Sequence, residues 1–295
     1  MFDRIFANFL VDTGRLTLKN LGDIYSCQEQ KRVRLGVIAV SEKLMSIEQV
    51  EEVNQLQAIY DKRFGDIAVE KGYLTEEQVS RLLVLQGNAF LAFMQSIVDE
   101  KYMTMTEVSE ALDEYQKANA FTLMNMEDLK SCDVDRIIPI FIYEQPEMVQ
   151  KLCGVMLRTM SRLIDYHVYI KKPYITNEYQ FPAICLQELN GEHKIVTAIA
   201  GELEDALKEA AIGFAGSENI SDDDDVLDAL CELINCVNGL LATDMSNKSV
   251  DIDMAAPFAQ KESGTIKSDS ILCLPIVIYG QTLDLLVQLD KDYTI

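Results

Sequence analysis

The side chains best placed for chemistry in this sequence are a carboxylate and an amide on one helical segment. Glu232 and Asn235 lie three residues apart in the apolar stretch 226–241, so on a helix they project side by side from one face. Asp228 begins the same stripe one turn earlier. Gly239 continues it without side-chain bulk, which would let another protein approach closely. We therefore predict a site on the outward face of this helix, with chemistry that depends on a carboxylate and an amide.

Other catalytic chemistries find little support in the sequence. The two histidines, His167 and His193, have no second histidine at ligand spacing and no Ser or Cys in a recognisable nucleophile setting. A His-based triad or a zinc hydrolase is therefore not expected. The seven cysteines include no CxxC pair, which fits free thiols in a reducing compartment. We expect no metal site.

The length, composition and net charge of the chain limit the kinds of partner that it is expected to bind. The chain has 295 residues, 48% of them hydrophobic, and a formal net charge of −22. Such a charge argues against general binding to nucleic-acid backbones or to anionic membrane surfaces, which require excess Lys and Arg. The N-terminus lacks the long apolar region of a signal peptide, and no segment approaches the roughly 18 apolar residues of a membrane span. We predict a cytoplasmic location.

The alternative interpretation of Glu232 and Asn235 is an ordinary solvated helix face. Two features weigh against it. Asn235 and Asn238 are poor helix formers placed in mid-helix, and Gly239 costs helix stability for no evident packing gain. The predicted apolar stripe of this helix consists of Val226, Leu230, Leu233, Val237 and Leu240, and Leu227, Ile234 and Leu241 widen it. The aspartates at 222–225 are interpreted as caps at the positive end of the helix dipole.

The surrounding pattern predicts the elements that hold this helix. Segment 147–164 has helical periodicity and 165–171 follows as a strand, while residues 201–216 form a further helix. PAICLQEL and HKIVTAIA, joined by NGE, read as a hairpin, and two more strands flank Gly280. The expected fold here is an α/β sandwich with a mostly antiparallel sheet and long helices on one side.

The helix resembles the signature of the CheC/CheX/FliY family of response-regulator phosphatases. In this sequence the pattern is Asp228, Glu232, Asn235 and the distant Pro257, with Gly239 in its family place. The resemblance implies that the substrate is the aspartyl phosphate of a CheY-type receiver domain. It also implies that Asn235 enters the receiver's active site and orients a water in line with phosphorus, while Glu232 pairs with the receiver's lysine. Asp228 would support the helix end or the docking surface.

The same resemblance implies neither a covalent intermediate nor a cofactor on this chain, because the divalent ion, Mg²⁺, belongs to the receiver. The family is built from two related halves. Aligning 151–161 with 229–239 puts Gly154 opposite Glu232 and Leu157 opposite Asn235. One active face rather than two resembles the CheX arrangement.

The first part of the chain is a repeat. VDTGRLT, VSEKLMS, VEKGYLT and VDEKYMT recur every 29 residues from position 11. A hydroxyl residue ends each copy, and in three copies Glu or Gln follows three residues later, which predicts capping boxes. We expect four helix-turn-helix units stacked on one another over residues 1–118, a linker at 119–136 and a CheX-like domain at 137–295. The fold class is therefore α+β.

The two middle copies resemble the cyclic di-GMP-binding N-terminal domain of MshE-type ATPases. The matching residues are Arg34, Gly36, Gln57, Arg63, Gly65 and Gln86. The sequence departs from that family at Ala39 and Ala68, where Leu is preferred. The resemblance implies cyclic di-GMP as a ligand. The alternative is that these glycines permit close helix packing and the glutamines bridge neighbouring units.

The sequence is compatible with three functions. The first is a CheX-like phosphatase acting on a phosphorylated receiver. The second is a non-catalytic adaptor that docks receivers and senses cyclic di-GMP through its repeats. The third is a structural adaptor of the flagellar switch, as in the FliY branch. The intact pair Glu232 and Asn235 favours the first, and a homodimer through a sheet edge stays open.

Overall fold

The computed structural model describes residues 1–28, 33–60 and 62–295, with only the backbone described at 27, 28, 58 and 59. The chain divides into two compact units, Phe2–Asp133 and, together with Met1, Val134–Ile295. The first unit is helical, whereas the second combines helices with an antiparallel sheet. The predicted α+β fold class is confirmed.

The first unit consists of paired helices that follow the 29-residue repeat. Residues 119–136, which the sequence assigns to a linker, contain the helix Leu123–Lys130 and the start of the helix Val134–Phe141. The helices are α1 (Phe2–Asp12), α2 (Leu18–Gln28), α3 (Leu35–Ser41), α4 (Ile47–Tyr60), α5 (Phe64–Glu70), α6 (Glu76–Val84), α7 (Ala89–Asp99), α8 (Met105–Ala118) and α9 (Leu123–Lys130).

Each copy of the repeat makes the same turn between its two helices. The turn contains one residue in the left-handed region, with φ between 56° and 73°. Those residues are Gly14, Lys43, Gly72 and Lys101. Capping boxes form at the start of α6 and of α8, as predicted, and the side chains of Ser46 and Gln49 cap α4 reciprocally. A local turn and a local cap therefore produce the periodicity.

The four copies form more than a simple stack, because the first copy also packs against the fourth. Helices α1 and α2 both contact α7. The rings of Phe2 and Phe90 lie 4.9 Å apart between centroids, and both side chains are fully buried. Tyr102 of the fourth copy also donates a hydrogen bond to Asp23 of the first at 2.8 Å. The repeat is thus closed on itself around a shared core.

The second unit combines four α-helices with nine strands in its described residues. The elements are α10 (Val134–Phe141), α11 (Glu147–Leu163), β1 (Tyr169–Ile170), β2 (Tyr174–Phe181), β3 (Ala183–Gly191), β4 (Ile195–Gly201), α12 (Lys208–Ala215), α13 (Asp223–Asn247), β5 (Ile252–Met254), β6 (Phe258–Gln260), β7 (Gly264–Ile278), β8 (Gln281–Leu289) and β9 (Tyr293–Thr294).

The strands form one sheet in the order β1-β7-β8-β4-β3-β5. Strands β2 and β9 also pair with β7, and β6 pairs with β3; every described pairing is antiparallel. The predicted hairpin is β3 with β4, and the strands flanking Gly280 are β7 and β8.

Two predicted elements differ in length from the prediction. The strand expected at 165–171 is only β1, and the helix expected at 201–216 begins with the π-helical segment Leu203–Leu207 before α12. Strand β2 was not predicted, because its sequence YITNEYQF is largely exposed and lacks a clear apolar face.

The sheet positions α13 on one of its faces. Helix α13 contacts β3 and β4 on the sheet and α11 and α12 beside it. The opposite face has its own apolar cluster, which includes Ile184 and Leu186 of β3. Because side chains alternate along a strand, Cys185 and Gln187 point to the α13 side. Strand β3 therefore supplies polar side chains to the underside of α13.

The sequence interpretation found no segment close to a membrane span, but α13 meets that test by length and composition. An 18-residue window of α13 has a mean hydropathy of 1.4, and half of it is buried inside the protein. The helical segments Glu76–Gly87 and Ala89–Asp99 meet the same test only when they are counted as one segment, and a bend of 86° separates them. Because α13 packs on the sheet, a buried core helix accounts for its composition.

Candidate functional site

Helix α13 begins at the cluster of aspartates. Asp222 is the N-cap, and its side chain accepts a hydrogen bond from the backbone N–H of Asp225 at 3.0 Å. The carboxylates of the first turn lie at the positive end of the helix dipole. Capping therefore explains these aspartates, as the sequence analysis expected.

The buried stripe of α13 is displaced from the predicted one. Leu230, Leu233 and Val237 are fully buried as expected, but Leu240 is 51% exposed. Leu227, Ile234 and Leu241 are buried as predicted, and Met245 joins them against the core. The buried face also includes Asn238, which is 0% exposed, so its centre is shifted towards that side of the helix.

The predicted site residues lie along the outward stripe of the same helix. Asp228 and Glu232 are exposed, while Asn235 and Gly239 are half-buried. Glu232 and Asn235 are three residues apart on a regular helix, so their side chains are neighbours. Pro257 is half-buried and follows β5, a strand that contacts α13. The structure therefore brings the carboxylate and the amide to one accessible surface.

A thiol lies beside the carboxylate. Cys236 Sγ is 3.7 Å from Glu232 Oε1 and donates a weak hydrogen bond to it. Partial burial raises the pKa of the Cys236 thiol, and the negative charge of Glu232 raises it further. Cys236 thus stays protonated and helps to hold the carboxylate.

A pair of thiols lies one turn earlier, between α13 and β3. A hydrogen bond between the side chains of Cys185 and Cys231 raises the pKa of Cys185 and lowers that of Cys231. Cys185 Sγ also contacts the carbonyl oxygen of Leu227 at 3.5 Å. Both thiols are free.

The amide of Asn235 has a buried partner that sequence reasoning did not single out. Gln187 of β3 is 1% exposed, and its Nε2 donates to Asn235 Oδ1 at 2.9 Å. The same nitrogen donates to the carbonyl oxygen of Ala255 at 2.8 Å. The only sequence signal was a polar residue within the apolar run PAICLQEL, which alone does not reveal a contact with α13.

The corresponding face of α11 is closed. Leu157, opposite Asn235 in the internal alignment, is 0% exposed, and Gly154 is buried. A Cβ atom on Gly154 would lie 3.0 Å from Oδ1 of Asp135 on α10. Arg158 of α11 forms an ion pair with the same carboxylate. Helix α10 therefore covers the face that α13 leaves open.

The candidate ligand residues of the repeats have internal partners. A Cβ atom on Gly36 would lie 2.7 Å from Val50 Cγ1, and one on Gly65 would lie 2.8 Å from Val79 Cγ1. Both glycines are therefore required for close helix packing, whether or not a ligand binds.

The closing glutamines hold the backbone before each motif helix. Gln57 Nε2 donates to the carbonyl oxygen of Lys62 at 3.2 Å, and Gln86 Nε2 donates to that of Val33 at 2.7 Å. Arg34 forms an ion pair with Asp99, whereas Arg63 is exposed. Over residues 1–28, 33–60 and 62–295, no group of three or more His, Cys, Asp or Glu side chains could hold a metal ion.

Solved structures similar to the C-terminal half are chemotaxis proteins. CheX from Desulfovibrio desulfuricans is 15% identical over 49% of this chain and 99% of its own, with a TM-score of 0.42. CheX from Vibrio vulnificus is 18% identical over 49% and 99%, also with a TM-score of 0.42. The CheX–CheY–BeF3–Mg²⁺ complex from Borrelia burgdorferi gives 15% identity over 49% and 99%, with a TM-score of 0.39.

No protein-family model and no curated protein matches the sequence. The comparisons give the resemblance of the repeats to the MshE-type domain no support. What α13 does must be inferred from its own side chains and their partners.

Proposed function

We propose that the C-terminal unit is a phosphatase that accelerates hydrolysis of the aspartyl phosphate on a CheY-type receiver domain. The observation that carries the proposal is the outward stripe of α13, where the exposed carboxylate of Glu232 lies beside the half-buried amide of Asn235. Both residues stand at the positions of the signature that the sequence resembles.

An acyl phosphate is already reactive, so an accelerator needs chiefly to position the attacking water. The water oxygen bonds to phosphorus, the bond from phosphorus to the aspartate oxygen breaks, and its electron pair stays on the carboxylate. Both hydrogens of the water leave with the inorganic phosphate. Asn235 holds the water in line. The receiver supplies the divalent ion, and no bond forms to this chain.

Glu232 fixes the register of docking by pairing with the receiver's lysine. An exposed carboxylate can reach such a partner without prior desolvation, and opposite charges across an interface speed association. Asp228, one turn earlier and exposed, adds negative charge to the same surface.

The test uses the full chain and a panel of receivers phosphorylated by a small-molecule phosphodonor, with release of inorganic phosphate as the readout. We expect acceleration with at least one receiver and a loss of about a hundredfold for Asn235→Ala. The matched control is Asn247→Ala, which removes an exposed asparagine at the end of the same helix. Receiver binding without acceleration by the wild-type chain would instead establish the adaptor.

A further inference from the structure

A chain of buried polar side chains runs from the sheet to the outward face of α13. Thr197 and Asn238 are 0% exposed and Gln187 is 1% exposed. Thr197 Oγ1 donates to Asn238 Oδ1 at 3.0 Å, and Asn238 Nδ2 donates to Gln187 Oε1 at 2.9 Å. Gln187 Nε2 then donates to Asn235 Oδ1. Buried polar groups are costly unless they form hydrogen bonds, so each side chain in this series needs its partner.

One backbone carbonyl decides which group donates and which accepts in every hydrogen bond of this series of side chains. The carbonyl oxygen of Ala255 can only accept, so the atom of Gln187 that contacts it must be Nε2. The other end of that amide, Oε1, therefore faces Asn238, which must present Nδ2. The second hydrogen on Gln187 Nε2 requires an acceptor, and Asn235 must present Oδ1. The orientation of the Asn235 amide thus follows from donor and acceptor types.

The segment around Pro257 provides that carbonyl. Strands β5 and β6 both pair with β3, and residues 255–257 between them belong to neither strand. A proline has no backbone N–H with which to continue a ladder. Ala255 donates its own N–H to the carbonyl oxygen of Glu188 at 2.9 Å, while its carbonyl oxygen remains for Gln187. The irregular segment between β5 and β6 therefore reaches Asn235 through the Ala255 carbonyl and the Gln187 side chain.

We infer that Gln187 is a positioning residue that locks the Asn235 amide with Oδ1 towards the protein and Nδ2 towards the docked receiver. This inference rests on the proposed phosphatase function. An amide fixed in this way can donate from Nδ2 to one lone pair of the water and leave the other for phosphorus. A freely rotating amide would present the wrong atom part of the time and would lose in-line geometry.

The kinetic test compares two buried glutamines of one sheet. Gln187→Met removes the donor to Asn235 and keeps similar volume. Gln288→Met makes the same change in a glutamine that is 3% exposed on β8 and whose described partners are Ser268 and Asp292. We expect Gln187→Met to lower kcat about tenfold to a hundredfold with KM for the phosphorylated receiver within about twofold, and Gln288→Met to leave kcat unchanged. Equal losses in both variants would overturn the inference.

A second variant remains informative if Gln187→Met fails to fold. Asn235→Asp keeps an oxygen to accept from Gln187, replaces the Nδ2 donor by a second carboxylate oxygen and adds a negative charge. We expect thermal stability close to that of the wild type and a loss of kcat as large as that of Asn235→Ala. Retained activity would mean that the outward nitrogen is not used.

A third measurement does not depend on catalysis. In the wild-type chain, the side-chain NH2 signals of Asn235 in a nitrogen–proton NMR spectrum should be resolved and distinct from those of exposed Asn247. Signals that coincide with those of a mobile asparagine would overturn the positioning role even if phosphate is released. Conversely, fixed signals in a chain that accelerates no receiver would sink the phosphatase while leaving the orientation of the amide established.

Discussion

The position that a Cβ atom would occupy on Gly239 lies 3.9 Å from the terminal methyl carbon of Met254, and no other described atom outside the local helix comes closer. This glycine is therefore not required by the packing of the chain itself. Met254 is 40% exposed, so the two residues together form a shallow apolar surface beside Asn235. A glycine at this position leaves room for another molecule to come close to the helix backbone.

Gly239→Ala should raise the stability of the protein and weaken the docking of the receiver. Alanine is favoured over glycine in a helix, so the free energy of unfolding should rise by about 0.5–1 kcal/mol. The added methyl group should weaken receiver binding, because it occupies the surface that approaches the partner. Calorimetry of unfolding and of receiver binding measures both effects. The control is Gly213→Ala in α12, where a Cβ atom would lie 2.8 Å from Ile164 Cγ2 and stability should fall. Unchanged receiver affinity in Gly239→Ala would remove this glycine from the docking surface.

Glu232→Gln should raise KM for the phosphorylated receiver and leave kcat within about twofold, because the carboxylate acts in docking. The neutral side chain should also reduce the dependence of association on ionic strength, since one interfacial charge is lost. Stopped-flow association at two salt concentrations provides the measurement. If kcat falls and KM does not change, Glu232 acts on the attacking water and does not position the docked receiver.

One receiver should bind per chain. The face of α11 that corresponds to the site carries Leu157, which is fully buried, and the ion pair of Arg158 with Asp135 closes it from the α10 side. Native mass spectrometry with a non-hydrolysable phosphate analogue on the receiver counts the bound copies. Two receivers on one chain would contradict this prediction.

The repeat and the site helix could be predicted because their signals are local. A hydroxyl residue followed three positions later by Glu or Gln indicates a helix start when an apolar helical pattern comes next, and the spacing of Glu232 and Asn235 places them on a shared face. The β3–β4 hairpin followed in the same way from the short turn NGE between two apolar runs.

The partners of Asn235 could not be predicted, because they come from distant segments. Gln187 and Thr197 pair across β3 and β4, yet their contact with Asn238 depends on how α13 packs on the sheet. No local pattern specifies that packing. A polar residue in a strand normally suggests a solvent-facing position, so a buried Gln187 ran against the usual interpretation.

Lys101→Gly should stabilise the repeats. Lys101 has φ 60°, while Gly72 occupies the equivalent turn one repeat earlier at φ 73°. A non-glycine residue pays about 1 kcal/mol for this conformation, so the substitution should raise the free energy of unfolding by up to about that amount. Gly72→Ala is the reciprocal control and should lower it. Chemical denaturation of both variants gives the comparison. A lower stability of Lys101→Gly would show that the lysine side chain stabilises the fold by more than its backbone conformation costs.

Cyclic di-GMP binding by the repeats remains a prediction, and it now depends on Arg34 and Arg63. Gly36, Gly65, Gln57 and Gln86 are already explained by packing and by hydrogen bonds within the chain. Ala39 and Ala68 are fully buried, so they offer a ligand no surface.

We therefore expect the full chain to bind cyclic di-GMP no more tightly than micromolar. Loss of either arginine should reduce the affinity by about tenfold to a hundredfold, because each removes a charge-assisted contact worth about 1.5–3 kcal/mol. Isothermal titration with Arg63→Ala tests this, and the control is Arg81→Ala, which removes an arginine with a 71% exposed side chain that is not one of the matching motif residues. No heat at near-millimolar ligand would leave the repeats as a packing scaffold, since internal contacts alone account for the glycines and glutamines of the motif.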